Sequence, residues 1–137
     1  MGLGNQQKRR QLFHWLRSNH EGIWLLQETH STRKTEKLWK HELGKHREIF
    51  FSHGRSNANG VAIIMPKKLN YTVVEIRTDD AVHYIILQLI FGEVECVLIN
   101  VYEFTKDKPT EQVKVLKDIS ENVTSYTERR IPIILRW

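Results

Sequence analysis

Residues 22–30, Gly-Ile-Trp-Leu-Leu-Gln-Glu-Thr-His, constrain the fold more than any other stretch of this chain. Four apolar residues, Ile23 to Leu26, run unbroken and then give way to Gln27, Glu28, Thr29 and His30. A short apolar run bounded by turn residues predicts a strand buried on both faces. Its polar end would set a carboxylate at the rim of a sheet, where loops from other strands converge. A Glu held there by a rigid strand suits a hard cation, because Mg²⁺ is usually bound through one or two carboxylates plus phosphate oxygens. Spacing alone also fits a solvated Glu capping a strand end, which is the commoner arrangement.

The other elements follow in order. Asn5 is a candidate N-cap for a helix over 5–19, with Leu12, Phe13 and Leu16 as its apolar stripe. Ser31 or Thr32 can cap a second helix through Leu43, with Leu38, Trp39 and Leu43 inward and Gly44 ending it. Residues 48–52 predict a strand, and the turn-rich loop 53–60 closes on Asn59-Gly60. Residues 61–65 form a fully apolar strand stopped by Pro66 and followed by Lys67 and Lys68. Further strands are expected over 71–77, 82–91 and 94–102, the last two joined by the hairpin pair Gly92-Glu93. Thr110 opens a helix with Val113, Leu116, Ile119 and Val123 on one face, and 131–135 is a last apolar strand. Outer helices around continuously apolar strands predict an α/β chain with sheets packed between helical layers.

With 137 residues, one domain over 1–137 is expected, large enough for a real core. The formal net charge of +5 is a weak pointer to polyanionic partners such as nucleic acid. The single cysteine, Cys96, excludes an internal disulfide and sits in an apolar run as a small hydrophobe. No apolar run approaches the ~20 residues of a membrane span, and no secretory leader opens the chain. A soluble intracellular protein, nuclear or cytoplasmic, is therefore expected, and the glycosylation patterns at Asn70 and Asn122 are read as chance.

Leu26-Gln27-Glu28-Thr29-His30, Gly54-Arg55-Ser56 with Gly60-Val61-Ala62-Ile63, and Ile99-Asn100-Val101-Tyr102 together resemble the endonuclease/exonuclease/phosphatase superfamily. Within it the chain is most similar to the endonuclease domains of LINE-type (non-LTR) retrotransposon polyproteins, over residues 2–135. The resemblance implies a DNase-I-like four-layer α/β sandwich, two mixed sheets with outer helices, and Mg²⁺-dependent cleavage of DNA phosphodiester bonds. Carried over by motif, Glu28 matches the metal-binding Glu and Tyr102 matches a Tyr beside the scissile phosphate. Arg55, Lys67 and Lys68 fall on strand-end loops of the kind that meet DNA in this family. His30 is read as a surface-loop histidine, and Asn100 and Thr29 receive no role.

The departures from the pattern are as specific as the matches. Met1-Gly2-Leu3-Gly4 stands where the family's first strand ends in Asn, and Glu103-Phe104-Thr105 replaces Ala-Pro-Asn after Tyr102. Arg136-Trp137 stands where Gly-Asp-x-Asn is expected. These differences predict an incomplete sandwich, truncated at both ends, with weak Mg²⁺ binding and no catalytic competence on its own. Two other readings stay open: a basic nucleic-acid-binding remnant without chemistry, and a half-enzyme needing a complementing fragment. An incomplete sandwich also implies exposed strand edges and self-association.

Overall fold

The computed structural model describes residues 6–7, 10–11, 14, 22–53, 60–79, 83–102 and 109–136. The expected first helix falls mostly outside these residues, as does the loop carrying Arg55. Strand β1 is Trp24–Gln27, helix α1 Arg33–Leu43, β2 Arg47–Ser52, β3 Val61–Pro66 and β4 Thr72–Thr78. Then come β5 Tyr84–Phe91, β6 Val94–Val101, helix α2 Pro109–Glu128 and β7 Ile133–Arg136.

The strands form two sheets, a three-stranded one in the order β1-β3-β2 and a four-stranded one in the order β4-β5-β6-β7. The smaller sheet is antiparallel throughout, and the larger is mixed because β7 joins β6 in parallel. The β5–β6 hairpin pairs Phe91 with Val94 across Gly92-Glu93, and Gly92 takes the positive φ (61°) that a tight hairpin turn demands.

Strand alternation builds four layers. Ala62 and Ile64 of β3 face α1 and pack with Trp39, Leu43 and Ile49. The intervening Val61, Ile63 and Met65 face the other sheet, against Ile85, Leu87 and Leu89 of β5 and Cys96 and Leu98 of β6. Tyr84, Ile86, Val97, Ile99 and Val101 point outward again and pack under Val115, Ile119 and Tyr126 of α2. The period of two sends successive side chains into different interfaces. That is why β3 and most of β5 and β6 are apolar on both faces. The result is an α/β sandwich, helix–sheet–sheet–helix, and Cys96 is buried in it as expected.

Several expectations need correction. β1 is half-buried rather than enclosed, because among the described residues it has only β3 beside it. Leu38 is exposed, while Trp39 and Leu43 are buried. α1 does start at the Thr32 cap, whose side chain accepts from Thr35 N. On α2 the buried positions are Val115, Ile119 and Tyr126; Val113 and Leu116 are exposed. β7 begins at Ile133, two residues later than expected, and includes Arg136.

Two amides tie the sheets together at one end. Asn100 Nδ2 donates to the carbonyls of Leu26 (2.8 Å) and Ala62 (3.0 Å) in the opposite sheet. Gln27 Nε2 donates to Val101 O at 2.5 Å. That end carries the candidate site.

Candidate functional site

Strand direction decides which residues meet. Gln27 pairs with Val61 and Ser52 pairs with Val61, so the ends of β1 and β2 lie beside the start of β3. Tyr84 pairs with Val101 and Asn100 with Arg136, so the start of β5 lies beside the ends of β6 and β7. With the two sheets joined by Gln27 and Asn100, one rim of the sandwich collects Glu28, His53, His83 and Tyr102.

Glu28 and Tyr102, 74 residues apart in sequence, form a side-chain hydrogen bond across this rim. The Tyr102 hydroxyl donates and the Glu28 carboxylate accepts. Tyr102 is held in place by its own N–H, which donates to His83 O at 2.6 Å. His83 is in turn fixed by Asp79, whose Oδ2 lies 2.8 Å from Nδ1 and whose Oδ1 accepts from His83 N at 2.6 Å. The Tyr102 phenol is pushed up to about 12, first by its bond to the Glu28 carboxylate and then by burial. Burial pushes the Glu28 carboxyl up, but the bonded Tyr102 hydroxyl and His30 ring outweigh it and hold it below the ordinary carboxylate value.

His30 is not the surface-loop residue expected. Its ring is 11% exposed and its Nε2 lies 2.6 Å from Glu28 Oε2, while the Glu28 side chain keeps 46% of its surface open. Both residues adopt left-handed backbone conformations, φ 54° at Glu28 and 49° at His30. For residues with a Cβ this costs about 1–2 kcal/mol each. Strained positions persist where the surroundings over-determine them, and Thr29 between the two is pinned. It is fully buried, its N–H donates to Gly60 O at 3.1 Å, and its Oγ1 lies 2.9 Å from Ser31 Oγ. Ser31 Oγ continues to His53 Nδ1 at 3.1 Å, and His53 Nε2 lies 3.6 Å from Glu36. Ser31 is itself buried, so this chain of contacts braces the loop and offers no accessible nucleophile.

The basic residues separate from this rim. Lys67 and Lys68 follow Pro66 at the far end of β3, roughly 20 Å along the strand from the Glu28 end. Lys67 Nζ donates to Gly44 O at the end of α1, and both lysines line a cavity of about 280 Å³ with Lys45 and His46. Arg55 lies outside the described residues.

Among the described residues no group of three or more His, Cys, Asp or Glu could hold a metal ion. What the rim offers is one half-open carboxylate already fixed by two donors. That fits a hydrated Mg²⁺ held by a single carboxylate and completed by water and phosphate oxygens. No described helix is long and apolar enough to cross a membrane.

Sequence reasoning missed His30 and Asn100. Asn100 had a signal, since it is the one polar residue on the inward face of β6. His30 had none beyond its two-residue distance from Glu28.

No protein-family model matches the sequence. The structure is similar to TDP2 from C. elegans, with a TM-score of 0.63 and 17% identity, covering 88% of this chain and 38% of that one. It is also similar to D. rerio TDP2 complexed with a single-strand DNA product, with a TM-score of 0.67 and 16% identity, covering 92% of this chain and 50% of that one. The chain thus spans half or less of the length of these structures. At these identities the likeness establishes the fold, a partial DNase-I-like α/β sandwich shared with TDP2.

Proposed function

We propose that this chain carries one side of a divalent-cation-dependent phosphodiesterase site acting on DNA. Glu28 is the Mg²⁺ ligand, and Tyr102 orients its carboxylate and faces the phosphate. The observation that carries this reading is the Tyr102–Glu28 hydrogen bond, which joins strand ends from two different sheets at a rim where loops converge. The shared fold supports it, as does the DNA product bound to one TDP2 of that fold. The motif around Glu28 and the Ile-Asn-Val-Tyr segment support a retrotransposon-endonuclease origin. A cation bound at Glu28 would stabilise negative charge on phosphoryl oxygens and leaving group.

One carboxylate makes a weak Mg²⁺ site, because this ion dehydrates reluctantly and demands near-octahedral geometry. Residues acting as a catalytic unit are non-additive, so a set short of members loses orders of magnitude in rate. This chain is therefore proposed to bind cation and DNA without turnover; the alternative is a half-enzyme that turns over only when complemented. Lys67 and Lys68, at the opposite end of the sandwich, are assigned a separate contact with nucleic-acid phosphates that depends on salt and not on metal. Arg55 belongs to the same proposed set of phosphate contacts.

The test is binding of a single-stranded oligonucleotide, followed by fluorescence anisotropy with and without Mn²⁺, beside nicking of supercoiled plasmid. Mn²⁺ is expected to tighten binding in wild type and not in Glu28→Ala, with no nicking by either. Binding that ignores Mn²⁺ and is abolished by replacing Lys67 and Lys68 with Gln would favour the plain basic remnant.

A further inference from the structure

A single metal-binding carboxylate is useful only if it is held still. A free Glu side chain has several rotamers, and a cation that recruits one of them must supply the ordering. Glu28 has lost that freedom through two donors, the Tyr102 hydroxyl from the other sheet and the His30 ring from its own loop. A carboxylate offers about four lone-pair directions. With two taken, about two remain on a side chain that keeps 46% of its surface in solvent.

We propose that His30 is a positioning residue for divalent-cation binding: its Nε2, donating to Glu28 Oε2, locks the carboxylate in the orientation that receives the metal. The inference rests on the reading of Glu28 as the cation ligand. Three observations carry it. The Nε2–Oε2 distance is 2.6 Å, a short and direct contact in which the ring N–H donates to the carboxylate. The ring is 11% exposed, so it is packed and cannot swing freely. The third is the backbone. Positive φ at both Glu28 and His30 turns the chain so that the ring reaches the carboxylate, and buried Thr29, bonded to Gly60 O and to Ser31, holds that turn in place. A backbone that adopts two unfavourable conformations around one buried residue points to a local requirement, and the contact those conformations produce is His30 on Glu28.

Partners that orient a metal ligand without touching the metal typically change affinity ten- to a hundredfold when removed. Mn²⁺ binding to the purified 137-residue chain is measured by electron paramagnetic resonance of the free ion, for wild type, Glu28→Ala, His30→Ala and His30→Gln. Loss of binding in Glu28→Ala, about tenfold weaker binding in His30→Ala and recovery of most of the affinity in His30→Gln are expected, since the Gln amide can donate the same bond. Wild-type affinity in His30→Ala, with Glu28→Ala still defective, overturns the role of His30 alone. His30→Gln that unfolds cooperatively yet binds as weakly as His30→Ala also overturns it, because the ring would then act by some route other than donation. Wild-type affinity in Glu28→Ala overturns the underlying assignment of Glu28 as well.

Discussion

Glu28 and Tyr102 share one hydrogen bond, and its pH dependence can be read from both partners. The Glu28 carboxyl lies below its ordinary value of 4.5, so its contribution is whole above that pH and is lost as pH falls through the lowered value. The Tyr102 phenol, raised from 10.0 to about 12, contributes fully below pH 10 and loses that contribution as pH climbs toward 12. The bond should therefore stabilise the fold across the neutral range and fade at both extremes. Tyr102→Phe is expected to cost about 1 kcal/mol near neutrality, less than a buried charged hydrogen bond because nearly half of Glu28 is wet. Urea unfolding of wild type and variant across pH checks this, and a difference that does not shrink above pH 11 would remove the bond from the account.

The strands show what was legible in the sequence and what was not. Residues 61–65 announce a buried strand because their side chains fill interfaces on both faces, and the unbroken apolar run records that directly. In 94–102 the apolar stretch 96–99 carries the same signal between Glu95 and Asn100. For helix α2 the position is legible and the rotation is not, since the stripe through Val113 and Leu116 and the stripe through Val115 and Tyr126 share Ile119 and Val123. Only packing against β5 and β6 chooses between them. Glu28 was legible at a strand end and Tyr102 by motif. Their contact was not, because it depends on which sheet each strand joins. The inward turn of His30 is not legible, because a two-residue spacing from Glu28 says nothing about the positive φ values that produce it. β7 carries the expectation of association: Ile134 and Leu135 are 55% and 50% exposed, and among the described residues no strand pairs with its outer edge. An exposed apolar edge of this kind can template pairing with another chain. We propose that it drives self-association, and Ile134→Lys is expected to shift sedimenting species toward monomer. An unchanged distribution would assign association, if present, to another surface.

Taken as a whole, the sandwich has two poles of different character. One collects the carboxylate, histidine and tyrosine groups on the ends of β1, β2, β5 and β6, with Asn100 and Gln27 fastening the sheets beneath them. The other carries Lys45, His46, Lys67 and Lys68 around the end of α1 and the end of β3. From sequence alone, Lys67 and Lys68 stood at a strand end like Glu28. The antiparallel register of β3 against β1 sends them to the opposite pole. Separation of the poles makes the central claim testable by position. Mn²⁺ broadens nuclear magnetic resonance signals of nearby amides, so titrating it into isotope-labelled protein maps where the ion sits. The signals of Glu28, Thr29, His30, His53 and Tyr102 are expected to be lost first, with those of Lys45, His46, Lys67 and Lys68 retained, and the rim signals are expected to recover in Glu28→Ala. Broadening that begins at the lysine pole, or that persists at the rim in Glu28→Ala, would contradict a cation site built on Glu28.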